Sequence, residues 1–373
     1  MRVVHVIKAT RISGAERHLL ILLPALRAHG IDVSLLLLED PAHPVADMAA
    51  ELEAAGVPVR RIPIYRHFDL GVIGRLRAAL RDLRPTIVHT HLIHADLYGT
   101  IAAKRAGVST VVTSRHNDDA FRRRQPVRAL NHLLWRFTSA GIAISHAIAH
   151  FCVEVEGAPI RKITTVYYGL PLKEVDRGAV GATLRTELGL AKDAPLVGMV
   201  CRLIEQKGVA YGVRAFARVA PQFPDARLII AGDGSLRAAL ESEAQALGVR
   251  DRVHFLGWRD DATAVLAALD VLLMPSLWEG FGLVMLEAMA QTTPIIGSAV
   301  SAIPEVVVDG ETGLLVPPRD SAALADALAR MLGDPALRRH MGLLGQDRVE
   351  TAFSVERMAA ETVAVYERIT KSG

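Results

Sequence analysis

Apolar residues along this chain gather in short runs of strand length, and between the runs they recur at helical spacing. In the first part the runs are Arg2 to Ile7, Ile31 to Leu38, Val59 to Ile62, Thr86 to Thr90, Thr110 to Ser114, Gly141 to Ile144 and Ile163 to Val166. The unbroken leucines at 35–38 mark a strand buried on both faces. Such alternation predicts a parallel sheet with helices on both sides. The rhythm lapses over residues 171–194, which hold Pro171, Asp176, Gly178, Gly181 and Asp193, so a junction is expected there. It resumes at Leu196 to Cys201, Arg227 to Ala231, Val253 to Leu256, Asp270 to Met274, Pro294 to Ile296 and Gly313 to Val316, and three helix-length segments follow from Ser321 to Thr370. The expected fold class is α/β, with two doubly wound, Rossmann-like domains at 1–170 and 195–352. A C-terminal helix over 353–373 is expected to cross back to the first domain.

Composition narrows the class further. With 51% hydrophobic residues in 373 there is material for two cores, and disorder is excluded. The two cysteines, Cys152 and Cys201, sit in apolar segments, which argues against a disulfide framework and for a reducing compartment. No apolar run reaches the roughly eighteen residues that span a bilayer, so a cytoplasmic protein is expected. Charge is uneven: residues 1–170 carry 22 Lys and Arg against 14 Asp and Glu, the remainder 21 against 26. A basic front half attracts anionic partners. Nucleic acid is not expected among them, because no interleaved aromatics or recognisable module accompany the charge.

Candidate chemistry lies just after the strands, where ligands sit in open parallel sheets. The stretch Pro275 to Ala290, PSLWEGFGLVMLEAMA, reads as strand end, turn and helix. Gly280 and Gly282 let the backbone come close to a ligand, and the N–H groups of the helix start, near Phe281 and Leu283, favour a phosphate. Glu279 and Glu287 bracket that turn, and carboxylates in such a place accept hydrogen bonds from sugar or ribose hydroxyls. After another strand come Arg202 and Lys207, two cations spaced to embrace a diphosphate, one bidentately and one as a point charge. Gly14, in Ser13-Gly-Ala-Glu-Arg17, opens a helix and offers its backbone to the same group; this is not a G-x-G-x-x-G, which speaks against a nicotinamide site.

Together these motifs resemble the retaining GT-B glycosyltransferases of the Glu-x7-Glu type, in family 4. The resemblance covers nearly the whole chain and implies two domains facing a cleft. It also implies transfer of a hexosyl unit from a nucleoside-diphosphate sugar, a UDP-sugar ahead of a GDP-sugar, to a glycan or lipid-linked acceptor of a cell-envelope polysaccharide or glycolipid. The implied catalytic residues are His116, Glu279, Arg202 and Lys207, with Glu287 on the ribose. Gly232 and Gly234 match the family's GDG turn, and Gly257-Trp258-Arg259 matches the segment that holds the nucleobase. Ser13 replaces the usual first glycine of the Gly14 loop, and Tyr168-Gly169 replaces the usual Asn-Gly.

Asp-x-Asp is absent, so no cofactor is expected and Arg202, Lys207 and the helix start must offset the diphosphate charge without metal. His89, His91 and His94 form a rival cluster; strand alternation is expected to divide them between faces, and neither cysteine nor HExxH joins them, so packing or an acceptor-side role for His91 stands ahead of a metal. Arg115 and Asn117 flank His116 and are placed on the acceptor side. Two arginine-rich stretches, Gly74 to Arg84 and Phe121 to Arg124 with Arg128 and Arg136, suit either a solvated surface or an anionic membrane. The rival functional class is a catalytically silent nucleotide-sugar-binding protein or partner subunit on the same scaffold.

Overall fold

The computed structural model describes residues 1–65, 69–172 and 176–371. They form two units, Met1–Pro171 with Phe353–Gly373, and Leu172–Ala352.

The first unit holds a seven-stranded parallel sheet in the order β3-β2-β1-β4-β5-β6-β7. Its strands are β1 (Arg2–Lys8), β2 (Asp32–Glu39), β3 (Val59–Pro63), β4 (Ile87–His91), β5 (Thr110–Arg115), β6 (Ala140–Ala143) and β7 (Ile163–Thr165). Between them run α1 (Gly14–Ala28), α2 (Ala46–Ala54), α3 (Gly71–Leu83), α4 (Leu92–Ala106), α5 (Gln125–Phe137) and α6 (His146–Glu154). The second unit contains α7 (Arg177–Glu187), β8 (Leu196–Val200), α8 (Val209–Val219), β9 (Arg227–Ala231), α9 (Arg237–Ala246), β10 (Val253–Gly257), α10 (Ala262–Ala268) and β11 (Val271–Met274). It continues through α11 (Leu283–Ala290), β12 (Ile295–Ser298), α12 (Ile303–Val306), β13 (Gly313–Val316), α13 (Ser321–Gly333) and α14 (Pro335–Ala352). Its sheet is also parallel, ordered β10-β9-β8-β11-β12-β13. In each sheet the order reverses beside the first strand, β1/β4 and β8/β11, and such switch points open a crevice at the strands' carboxyl ends.

Each strand expected from the apolar runs is present, with no end shifted by more than two residues. The stretch 171–194 differs from the expected junction. Residues 173–175 lie outside the described residues, but Asp176 caps Ala179 N at 3.0 Å and starts α7, whose Gly181 and Leu184 are buried in the second unit. The polar, glycine-bearing composition hid this helix, because its apolar stripe is only two residues wide.

The last helix, α15 (Val355–Lys371), belongs to the first unit. Met358, Val365 and Tyr366 enter the same core as Val3, Ile7, Leu19 and Leu23, and burial of such side chains stabilises by about 1.5–3 kcal/mol each. Where the chain passes back, Leu170 N donates to Phe353 O at 2.9 Å, and a Cβ on Gly169 would stand 2.6 Å from Ser354 O. Only glycine admits that backbone approach.

Candidate functional site

In the second unit the site is built on the carboxyl ends of β8, β9 and β11. Arg202 follows β8; its guanidinium is exposed and has no hydrogen bond or ion pair among the described residues. Lys207 stands at the end of a single 3-10 turn, and Gly208 behind it takes a left-handed conformation with φ 59°. A Cβ there would meet the Pro275 carbonyl oxygen at 2.0 Å, so glycine is required for the Lys207 turn to lie on the β11–α11 turn. Leu277 N donates to Gln206 O at 2.8 Å and Gln206 Nε2 to Trp278 O at 3.2 Å, which fastens the two turns edge to edge.

That fastening brings two of the expected residues together. Lys207 Nζ donates to Glu279 Oε2 at 2.5 Å, with both side chains nearly buried, and Ser276 Oγ lies 3.4 Å from the same carboxylate oxygen. The β11–α11 turn ends at Gly282, left-handed at φ 86°, and α11 begins at Leu283, so its first N–H groups lack preceding helical carbonyls. Phe281 is buried beneath the turn, and Glu287 is half-buried on the second turn of α11.

Gly232 and Gly234 are required by the fold itself. A Cβ on Gly232 would fall 1.9 Å from Cys201 O and one on Gly234 2.4 Å from Leu203 O, while Leu203 N donates to Asp233 O. The GDG turn thus props the Arg202 loop from behind. Trp258 is 69% exposed, and Arg259 is held by Asp261 and Glu187, whose hydrogen bonds raise its pKa above its usual value. Its guanidinium ties this segment to Glu187 at the end of α7, and Gly257 O accepts from Gly232 N at 2.7 Å.

In the first unit, Ser13 and Glu16 close a capping box at the start of α1: Ser13 N and Oγ donate to Glu16 Oε2 at 3.1 and 2.6 Å. Gly14, next in line, has nothing within 4 Å of where a Cβ would stand, so space is open beside it. His116, just past β5, is buried and its two ring nitrogens are engaged, Nδ1 with the Tyr168 hydroxyl at 2.5 Å and Nε2 with His91 Nδ1 at 3.0 Å. Burial, with His18, Arg115 and Arg122 nearby, holds its pKa well below the usual histidine value, so the ring is neutral.

Three expectations are corrected here. Arg115 does not face an acceptor: it is 2% exposed and donates to Glu156, Asp96 and Thr113 in the core, over the Trp135 ring. Arg122 leaves the expected basic surface for the same cluster, pairing with Glu156 Oε1 at 2.7 Å, so two cations meet two carboxylates there. His89 and His91 do not divide between faces; two residues apart on β4, they share one face and meet His5 of β1, while His94 lies on α4. His91 is fully buried, so it reaches rings and not an acceptor. Asn117 is half-buried with its Oδ1 unpartnered among the described residues.

His18 was missed by the sequence reading. It sits one turn into α1, its ring stacks on Tyr168 at 4.3 Å and lies 5.5 Å from His116, and its buried Nδ1 has no partner among the described residues. A histidine on the inward side of the helix that follows the Gly14 loop was the available signal.

The comparisons agree with this geometry. The profile of the glycosyl transferases group 1 family matches residues 182–348, and that of the glycosyl transferase 4-like domain matches residues 13–169. The phosphatidyl-myo-inositol mannosyltransferase of Mycobacterium leprae is 30% identical over 96% of this chain and 94% of its own length. The N-acetyl-alpha-D-glucosaminyl L-malate synthase of Bacillus anthracis is 29% identical over 81% of this chain and 80% of its own. Among solved structures, Anabaena Alr3699/HepE in complex with UDP and glucose superposes with a TM-score of 0.86, at 22% identity, covering 99% of this chain and 100% of that one. The fold is therefore GT-B. The chain belongs to the group 1 glycosyltransferases with a family 4-like first domain, and it is a glycosyltransferase enzyme.

Proposed function

We propose that this chain is a retaining hexosyltransferase that takes its sugar from a uridine-diphosphate donor and delivers it to a glycan or lipid-linked acceptor in cell-envelope polysaccharide or glycolipid synthesis. The observation that carries the reading is the Lys207–Glu279 pair beside Arg202, whose guanidinium has no partner among the described residues. A diphosphate presented to that loop gains two cations and the start of α11; Lys207 is already held by Glu279, and such preorganised charge is worth most where charge develops, while Arg202 brings an unused guanidinium fork. As the bond from the anomeric carbon to the diphosphate oxygen breaks, the acceptor oxygen forms its bond on the same face, and its proton passes to a phosphate oxygen of the departing nucleotide. Glu279 orients donor hydroxyls, Glu287 holds the ribose, and the neutral His116 ring lies against the sugar. No metal is needed in this scheme, since the chain has no Asp-x-Asp and supplies the positive groups itself.

Support for uracil comes from the neighbour bound to UDP and glucose, and support for a lipid-linked acceptor from the relative named for phosphatidyl-myo-inositol. For membrane contact, the stretch 121–137 offers exposed Arg123, Arg124, Arg128 and Arg136 with exposed Phe121, Leu133 and Phe137, though Arg128 also donates to Val155 O. On α3, Arg75 and Arg77 are tied to Asp69 and to the Arg105 carbonyl while Arg81 is exposed. No helix among the described residues is long and apolar enough to cross a membrane. A thermal-shift screen of UDP-, GDP- and ADP-sugars, followed by turnover with the best ligand, tests the proposal; a shift with GDP- but not UDP-sugars would overturn the uridine assignment.

A further inference from the structure

Six side chains in the core of the first unit form one unbroken hydrogen-bonded path. Tyr168 Oη meets His116 Nδ1 at 2.5 Å, His116 Nε2 meets His91 Nδ1 at 3.0 Å, and His91 Nε2 meets His5 Nδ1 at 2.9 Å. His5 Nε2 then meets Tyr366 Oη at 3.3 Å, Tyr366 Oη meets His89 Nδ1 at 2.6 Å, and a seventh group, Ser114 Oγ, closes the far end 2.8 Å from His89 Nε2. All four imidazoles use both ring nitrogens. Tyr366 comes from the C-terminal helix, so the last stretch of chain completes a path that begins at the candidate site.

A neutral imidazole has one donor and one acceptor, so the directly linked rings His116, His91 and His5 must all point the same way, and the Tyr366 hydroxyl decides whether His89 follows them. Two directions are possible, and the distances choose between them. Hydroxyl donors make shorter hydrogen bonds than ring N–H donors. The two short contacts, Tyr168 to His116 and Tyr366 to His89, fit phenol O–H donating to Nδ1, and the long one, His5 to Tyr366, fits a ring N–H donating to oxygen. On that assignment every ring proton of the path sits on Nε2, with each Nδ1 accepting.

We propose that this relay positions His116: Tyr366, His89, His5, His91 and Tyr168 lock its ring into one orientation and one tautomer, proton on Nε2, so that the C-terminal helix carries a positioning residue for the donor-sugar side of the site. The proposal rests on the reading that His116 lies against the donor sugar. Burial supports it independently, since His5 is pushed down to about 3 and His89 and His91 lie well below the usual value, leaving all of them neutral. His5, His89 and His91 also place ring nitrogens within 4.8 Å of one another, a grouping that could hold a cation. Their nitrogens are already spent on one another, on Tyr366, on His116 and on Ser114, so no lone pair is left over for a metal.

Nitrogen-15 NMR of the histidine-labelled, ligand-free protein near pH 7 reads this directly. The expected spectrum shows His5, His89, His91 and His116 as neutral, each with bare Nδ1 and protonated Nε2. In Tyr366→Phe, His5, His91 and His116 should move to exchange-averaged tautomers, with kcat down about tenfold and donor KM within twofold. His5→Leu should behave the same way, while His5→Gln, whose amide can still accept from His91 and donate to Tyr366, should restore a single tautomer and most of the rate. Mixed tautomers in the wild type, an unchanged His116 in Tyr366→Phe and His5→Leu, or stoichiometric zinc by elemental analysis would overturn the relay. A lost tautomer with kcat unchanged would instead place the failure in the position assigned to His116, and would remove its positioning role.

Discussion

Lys207 Nζ stands 2.5 Å from Glu279 Oε2, so the cation expected to hold the diphosphate and the carboxylate expected to hold the sugar are one ion pair. The two are 72 residues apart in sequence and come from turns after different strands. On the proposed reading, a donor's diphosphate would meet the ammonium while the pair holds the carboxylate in place for the sugar hydroxyls.

Removing either partner leaves the other nearly buried and unpaired. Lys207→Ala and Glu279→Ala should each lower kcat about 100-fold or more, on the scale of losing one preorganised electrostatic group, and should lower Tm by several degrees. The double variant should be less destabilised than the sum of the singles, because it leaves no orphaned charge. Strict additivity in Tm, measured by scanning calorimetry, would contradict a coupled pair.

Arg202 gives the opposite pattern, since it is exposed and unpaired among the described residues. Arg202→Lys keeps a charge but loses the bidentate fork, so kcat/KM should fall about tenfold while Tm stays within a degree. Steady-state kinetics beside a thermal melt separates this from a folding effect.

Glycines that look alike in sequence should part in experiment. Gly232→Ala would push a methyl into the Cys201 carbonyl at a φ of 131°, and should cost about 1–3 kcal/mol or more of stability, read by urea denaturation. Gly14→Ala meets open space and a helix start, so stability should hold while donor KM rises. Equal effects at both positions would remove Gly14 from the site.

Acid should unfold the first unit early. His5 and His18 are pushed down to about 3, and His89, His91 and His116 also lie well below the ordinary value. With folded pKa values below the unfolded ones, the unfolded chain binds more protons from about pH 6.5 downward, so the stability these groups confer is complete above that point and is lost as pH falls toward 3. Each contributes about 1.4 kcal/mol per pH unit in that window. Glu156, held below its usual value by Arg115 and Arg122 against its own burial, adds to the loss only in the more acidic carboxylate range. A fall in Tm of more than about 10 °C between pH 7 and 5 is expected; a flat profile would contradict a neutral histidine core.

Much of the fold was legible because strands and helices announce themselves through apolar spacing, as at Leu35–Leu38 and Val271–Met274. The places of Arg202, Lys207, Glu279 and Glu287 after their strands were legible too, because each lies in a short local pattern. What stayed hidden depended on long-range packing. Nothing local to Arg115 or Arg122 says that Asp96 and Glu156 will meet them in the core, and nothing near His89 names Tyr366, 277 residues away. The glycines of the GDG turn were visible, but their task, making room for the carbonyls of Cys201 and Leu203, was not.

The central claim, that fixed positive groups and Glu279 drive transfer with retention at the anomeric carbon, is tested most directly by proton NMR of the first-formed product. Incubated with UDP-glucose, or the UDP-sugar that gives the largest thermal shift, and with water as the acceptor in the presence of a chelator, the protein should release the α-hexose before mutarotation, and Lys207→Ala should release almost none. First appearance of the β-anomer, or turnover unchanged in Lys207→Ala, would contradict the account.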